Sequence, residues 1–161
     1  MTKKRTPQEK AVIEKLARVV EKNIQVTIND WFRRVETEPR LAIIPMDRHE
    51  RCAYLFPLFN DLIARLREPL APGTSAVLSG TATKHGLHRR ELGYTAAMLV
   101  EESRLLQVSI FQMLHNNFSH LDHNTMLLGV MNIANEVDAQ LAQQMSAYVA
   151  EPKVDEPPLA A

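Results

Sequence analysis

The sequence predicts an all-α chain, and three observations predict it. Apolar residues recur at spacings of three and four through most of the 161 residues. Helix-start signals stand at the head of the periodic stretches: Thr6-Pro7-Gln8-Glu9, Asp47-Arg48-His49-Glu50 and Thr95. One run, Ile24 to Ile28, alternates as a strand would. Both its flanks are helical and no turn signal interrupts it, so it reads as helix too. The expected architecture is a five-helix bundle with long terminal helices. It forms a single domain over residues 6–150, between a disordered start (1–5) and a disordered tail (151–161).

The first helix begins at Thr6, with Pro7 in the first turn and Glu9 completing a capping box. Val12, Ile13, Leu16, Val19, Val20 and Ile24 follow helical spacing, and Ile28, Trp31, Phe32 and Val35 continue it. A helix of roughly 30 residues would be about 45 Å long, with a kink near Asn23 as the variant reading. Trp31 and Phe32 read as core anchors, with a ligand pocket as the alternative. Glu38-Pro39 breaks the helix, and a loop runs to Pro45.

Asp47 caps the second helix, whose inward stripe is Cys52, Leu55, Phe59, Leu62, Ile63 and Leu66. Pro57 lies inside the pattern and should kink or split it. Pro69 and Pro72-Gly73 close the segment. The third helix runs from Thr74 or Ser75 to about Leu92, with a first half rich in small residues. The fourth, about Thr95 to Asn116, is apolar almost all round, which marks a central helix. After a polar loop holding His120 and His123, the fifth runs from Asp122 or Asn124 to Ala150. Leu127, Val130, Met131, Ala134, Val137, Leu141, Met145 and Tyr148 give it a near-heptad stripe.

Composition excludes several function classes. With 19 basic and 19 acidic residues the net charge is zero, so the chain lacks the basic face of a general nucleic-acid binder. No stretch approaches the roughly 18 apolar residues of a membrane span, and the basic start lacks the apolar region of a secretory signal. The lone Cys52 excludes an internal disulfide and suits a reducing cytoplasm; it reads as a core residue, with a redox sensor as the alternative. No glutamate has a histidine three residues later, and neither His-x-x-x-His nor Gly-x-Ser-x-Gly occurs. No catalytic residue, metal or cofactor is therefore expected. Two alternatives remain. One is a haem sensor with His85 or His115 as axial ligand. The other is a phosphotransfer histidine at His88, with Arg89 and Arg90 holding the phosphoryl oxygens.

The most informative stretch is Lys84 to Leu106. His85, Arg89 and Gly93 stand at i, i+4 and i+8, on one helical stripe. Gly86 costs roughly 1 kcal/mol against Ala inside a helix, which close approach of a neighbour explains. Gly93 suits the left-handed turn past a helix end, and Thr95 caps the next helix. The stretch reads as a helical-hairpin corner, with Glu101 or Glu102 opposite Arg89, Arg90 or a protonated His85. An Arg89–Glu102 or Arg89–Glu101 salt bridge is the expectation.

The pattern His85-Gly86-x-x-Arg89-x-x-x-Gly93-Tyr94, followed by Leu99-Val100-x-Glu102 and Leu105-Leu106, resembles the RsbRD-type N-terminal domain of RsbT co-antagonist (stressosome) proteins. Similar domains precede kinase and transcription-regulator modules. The resemblance is close over Lys84–Leu106 and otherwise one of general layout. Ser103 stands where members often carry an aromatic residue, and the resemblance covers only the input domain, with no output domain expected after it. The resemblance implies a globin-like helical layout and a non-catalytic sensory or protein-interaction role in bacterial signalling, with His85, Gly86, Arg89, Gly93, Tyr94 and Glu102 as the structural or signalling motif. His85 protonation is a possible tuning device, since a nearby carboxylate shifts a histidine pKa. The expected partners are an unidentified signalling protein and a second copy of the chain, with no nucleic acid and no membrane. The length of the terminal helices gives the dimer candidates: Val12, Leu16 and Val19 on the first, and Val137, Leu141 and Met145 on the last.

Overall fold

The structure is a computed structural model describing residues 5–68, 80–117, 119 and 121–150. The expected tail (151–161), residues 1–4 of the expected disordered start, the helix start at Thr74 or Ser75, and His120 lie outside these residues. The fold is all-α. Among the described residues the helices are α1 (Pro7–Lys22), α2 (Ile24–Thr37), α3 (Pro39–Ala42), α4 (Arg48–Cys52), α5 (Leu55–Arg67), α6 (Gly80–Glu91), α7 (Ala96–Asn116) and α8 (His123–Val149). None is long and apolar enough to cross a membrane.

The expected first helix is two. Asn23 ends α1 because its side chain takes the place of its backbone: Nδ2 donates to the Val19 carbonyl at 2.7 Å, and the backbone N–H turns to Val20. This is the usual way an Asn side chain competes with a helix ladder. The apolar phase continues across the break, so α1 buries Leu16 and Val20 while α2 buries Ile24, Ile28, Trp31 and Val35. The Thr6 capping box at the head of α1 forms as expected.

The loop expected before Pro45 contains the single turn α3, with Pro39 at its start and the Glu38 carboxylate accepting from the Arg40 N–H. The expected second helix divides at Ala53–Tyr54 into α4 and α5. Pro57 then falls in the first turn of α5, where its missing N–H has no partner to lose.

α7 is central. It packs against α1, α2, α3 and α8, and it buries Leu99, Leu105, Leu106, Ile110, Met113 and Leu114. α6 packs chiefly on α8. The buried face of α8 differs from the expected stripe. It runs through Thr125, Gly129, Ile133, Glu136, Val137, Gln140 and Gln144. Only Val137 is shared with the expectation, because apolar residues occupy both faces of this helix and polar ones enter the inner face.

Two of the expected dimer residues are thereby corrected. Leu16 and Val137 are fully buried in the chain's own core, and Val19 packs against that core. Gly129 lets Leu16 approach α8, since a Cβ there would meet the Leu16 methyls at 2.8 Å. Val12, Leu141 and Met145 are half-buried.

Candidate functional site

The corner between α6 and α7 forms as the sequence expects. Gly93 has φ +86°, the left-handed region glycine adopts without penalty. Its N–H donates to the Arg90 carbonyl, and the Tyr94 N–H donates to the Arg89 carbonyl. That pair of bonds is the Schellman closure of a helix end. Two residues later the Thr95 hydroxyl accepts from the Met98 N–H at 3.2 Å and starts α7. Gly86 is where α8 comes closest: a Cβ there would lie 2.3 Å from the Gln144 carbonyl oxygen.

Beyond this turn α6 packs chiefly on α8 and little on α7, and it is the side chains of His85 and Arg89 that reach Glu102 on α7. Arg89 Nε donates to Glu102 Oε1 at 2.9 Å and to Oε2 at 3.2 Å. His85 Nε2 lies 3.0 Å from Oε1, and the Tyr94 hydroxyl donates to Oε2 at 2.6 Å. Arg89 is 0% exposed and Glu102 3%. Glu101 lies on a different side of α7, largely covered, and pairs with Arg104 at 2.6 Å and Arg40 at 3.6 Å.

Further residues, unforeseen from sequence, complete the cluster. Arg51 of α4 donates to the Tyr94 hydroxyl at 3.1 Å and to the Ile44 carbonyl at 2.9 Å. The Arg51 carbonyl accepts from Arg89 Nη2 at 2.7 Å. Trp31 Nε1 donates to the Glu102 carbonyl at 3.2 Å, which ties in α2. Arg89 Nη1 reaches His88 Nδ1 at 2.9 Å and Met46 Sδ at 3.5 Å. His88 Nε2 lies 3.3 Å from Glu50. Arg51 carries a faint signal in the sequence, because it stands four residues before Leu55 on the apolar stripe. The Trp31 indole carries none, since it already reads as a core anchor.

The electrostatics follow from burial. Burial pushes the Glu102 carboxyl up, but the Arg89 charge and the bonds from His85 and Tyr94 overcome it and hold the pKa at about 2. For His85 burial is the larger effect. It lowers the pKa, outweighing the pull of Glu102, and Arg89 pushes the same way. The ring is therefore neutral, with its proton on Nε2 toward the carboxylate, and Nδ1 meets no donor. Protonation would leave a second buried N–H unpaired, so the expected tuning by a protonated His85 runs against the site's own chemistry. Burial and the Glu102 charge raise the Tyr94 pKa.

What the site can do chemically is limited. Each Glu102 oxygen has two partners, so the carboxylate has no spare capacity to take a proton from a substrate. Arg89 spends its guanidinium inward and Arg90 bonds the Ala150 carbonyl, so the phosphoryl grip expected around His88 does not assemble. His85 commits Nε2 to Glu102 and packs edge-on against Tyr54 at 5.5 Å. Axial ligation through that nitrogen would break the cluster. His115 is exposed near the end of α7. Among the described residues no three or more His, Cys, Asp or Glu side chains gather as a metal site. Cys52 is half-buried and burial pushes its thiol up, away from a reactive thiolate.

Comparison of the chain with protein-family models, curated proteins and solved structures finds no match in any of the three.

Proposed function

We propose that this protein is a non-catalytic sensory or protein-interaction module of bacterial signal transduction. It would work in the cytoplasm, in the manner of the stressosome co-antagonist input domains that its sequence resembles. One observation carries the reading. Of the residues of the resemblance, His85, Arg89, Tyr94 and Glu102 bond one another in one buried cluster, Gly93 makes the turn beside it, Gly86 seats α6 against α8, and none leaves a reactive group open to solvent. A motif spent on rigid cross-helix bonding suits a domain that transmits shape, and it does not suit an enzyme. The globin-like layout belongs to the same reading. The assembly joins α2, α4, α6 and α7, so a displacement at any one of them is felt at the others.

The direct test is a domain exchange. The chain replaces the input domain of a stressosome co-antagonist whose output domain is intact, and a stress-response reporter is read with and without physical stress. The reading predicts a stress-dependent reporter that Glu102→Gln uncouples. A reporter fixed at one level, with the fusion folded and abundant, would contradict it. An absorption spectrum addresses the haem alternative. The expected result is a colourless protein with no Soret band after haem titration.

A further inference from the structure

His88 stands outside the bonds that close around Glu102, and its ring is placed to take a proton. Arg89 Nη1 lies 2.9 Å from His88 Nδ1, and His88 Nε2 lies 3.3 Å from Glu50 Oε1. A guanidinium can only donate, so Nδ1 accepts with its lone pair and the ring's one proton sits on Nε2, toward the carboxylate. The neutral ring thus joins Glu50 of α4 to the guanidinium that holds Glu102. One side of this bridge is fixed and the other is loose. Arg89 is fully buried and anchored by Glu102 and the Arg51 carbonyl. The His88 side chain is 20% exposed and that of Glu50 41%, so water reaches the ring and both can move. The titratable groups around the ring come from several elements. Arg89 and His85 share α6 with it, and Glu50 faces it from α4. The Tyr54 ring, just before α5, lies 5.4 Å from it and 5.5 Å from His85. Lys84 and Glu91, one turn away along α6, are exposed and opposite in charge. The carboxylates of α8, Glu136 and Asp138, lie well before Gln144, where α6 meets that helix.

We propose that His88 is a proton-operated latch between α4 and the buried cluster: neutral, it bridges Glu50 and Arg89; protonated, it releases Arg89 and swings outward with Glu50. A proton taken from water puts an N–H on Nδ1, directly opposite the N–H of Arg89 Nη1. Two donors of like charge then face each other at hydrogen-bond distance, and attraction turns to repulsion. Arg89 does not yield, because its Nε and Nη2 remain bound to Glu102 and to the Arg51 carbonyl. The ring moves instead. Its Nε2–H keeps Glu50, now as an ion pair, and its Nδ1–H turns to water. Arg89 Nη1 is left with Met46 Sδ at 3.5 Å, a weak acceptor. Tyr54, in contact with both histidine rings, registers the movement. Histidine is the side chain whose charge ordinarily changes between about pH 5 and 8, which sets the range in which the latch works. The latch follows from these bonds alone and holds whatever the chain's place in signalling.

Imidazole and guanidinium nitrogen signals of the whole chain, followed by NMR from about pH 8 to about pH 5, test the latch. At the upper end the neutral His88 ring should carry its proton on Nε2. As pH falls, the Nδ1 signal should move from the unprotonated to the protonated range. The Arg89 Nη and Tyr54 ring signals should shift with the same midpoint. The Arg89 Nε signal, held by Glu102, should stay in place through that midpoint. His88→Gln puts an amide in the ring's place that can bridge the same two groups and takes no proton. In this variant, folded by circular dichroism, the Arg89 Nη and Tyr54 signals should be flat over the range. A neutral ring protonated on Nδ1, a ring that stays neutral down to about pH 5, or Arg89 Nη signals that ignore the His88 titration would each overturn the proposal. All three are read on the unaltered chain. A titration of the Arg89 Nη signals that survives His88→Gln would overturn it as well.

Discussion

Glu102 receives the Arg89 guanidinium, the His85 ring and the Tyr94 hydroxyl. Burying a carboxylate costs several kcal/mol, and only several good partners offset that. Removing the charge while keeping the shape leaves Arg89 and Arg51 buried with no carboxylate between them. Glu102→Gln should therefore lose about 3–5 kcal/mol of unfolding free energy in urea titration. A change under about 1 kcal/mol would mean that the pair behaves as a surface ion pair. Acid should act on the same cluster in two stages. The His85 pKa is lowered in the fold, so the unfolded chain binds the proton first. Its contribution is whole above about 6.5 and fades as pH falls below that. Glu102 is also lowered, from 4.5 to about 2, and its contribution fades between those values. Unfolding free energy measured at a series of pH values should decline from about pH 6.5 downward and then fall more steeply below about 4.5. His85→Gln should flatten the first decline and leave the second.

At the scale of elements, Gly86 and Gly93 are glycines for different reasons, and substitution separates them. A Cβ at Gly86 meets a backbone carbonyl of α8, which no rotamer change relieves. Gly86→Ala should cost about 1–3 kcal/mol through separation of α6 from α8, more than the roughly 1 kcal/mol that alanine returns in helix propensity. Gly93 has open space around it, and its constraint is φ alone. Gly93→Ala should cost about 1–2 kcal/mol, and Gly93→Asn less, because Asn tolerates the left-handed region. Thermal unfolding of the three variants distinguishes the causes. Both glycines were legible from sequence, as were the Thr6, Asp47 and Thr95 caps, because each rests on local backbone rules. The break at Asn23 was only half legible: the apolar phase runs through it, and the deciding bond is from one side chain to Val19. The phase of α8 was misread because its apolar residues lie on both faces, while Glu136, Gln140 and Gln144 turn inward. Glu136 sits 3.5 Å from Arg65, and Gln140 donates to the Leu58 carbonyl at 3.2 Å. Such partners are set by tertiary contact and leave no trace in spacing.

At the scale of the whole molecule, the corner that looked most unusual in the sequence is where α2, α4, α6 and α7 are bonded together. The Arg89–Glu102 pair was legible there, because the Gly93 turn keeps the first turns of α7 within reach of long α6 side chains, although the two helices pack little against each other. Arg51 and the Trp31 indole come from elsewhere in the chain, and only the fold brings them in. The central claim is that these side chains act as one unit around Glu102. A double-mutant cycle between Arg89→Met and Glu102→Gln, followed by urea unfolding, tests it most directly. The account predicts strong non-additivity, with a coupling energy of at least about 2 kcal/mol, since each single change strands the other's charge in the core. Additivity within about 0.5 kcal/mol would contradict it and would leave the cluster as a set of independent contacts.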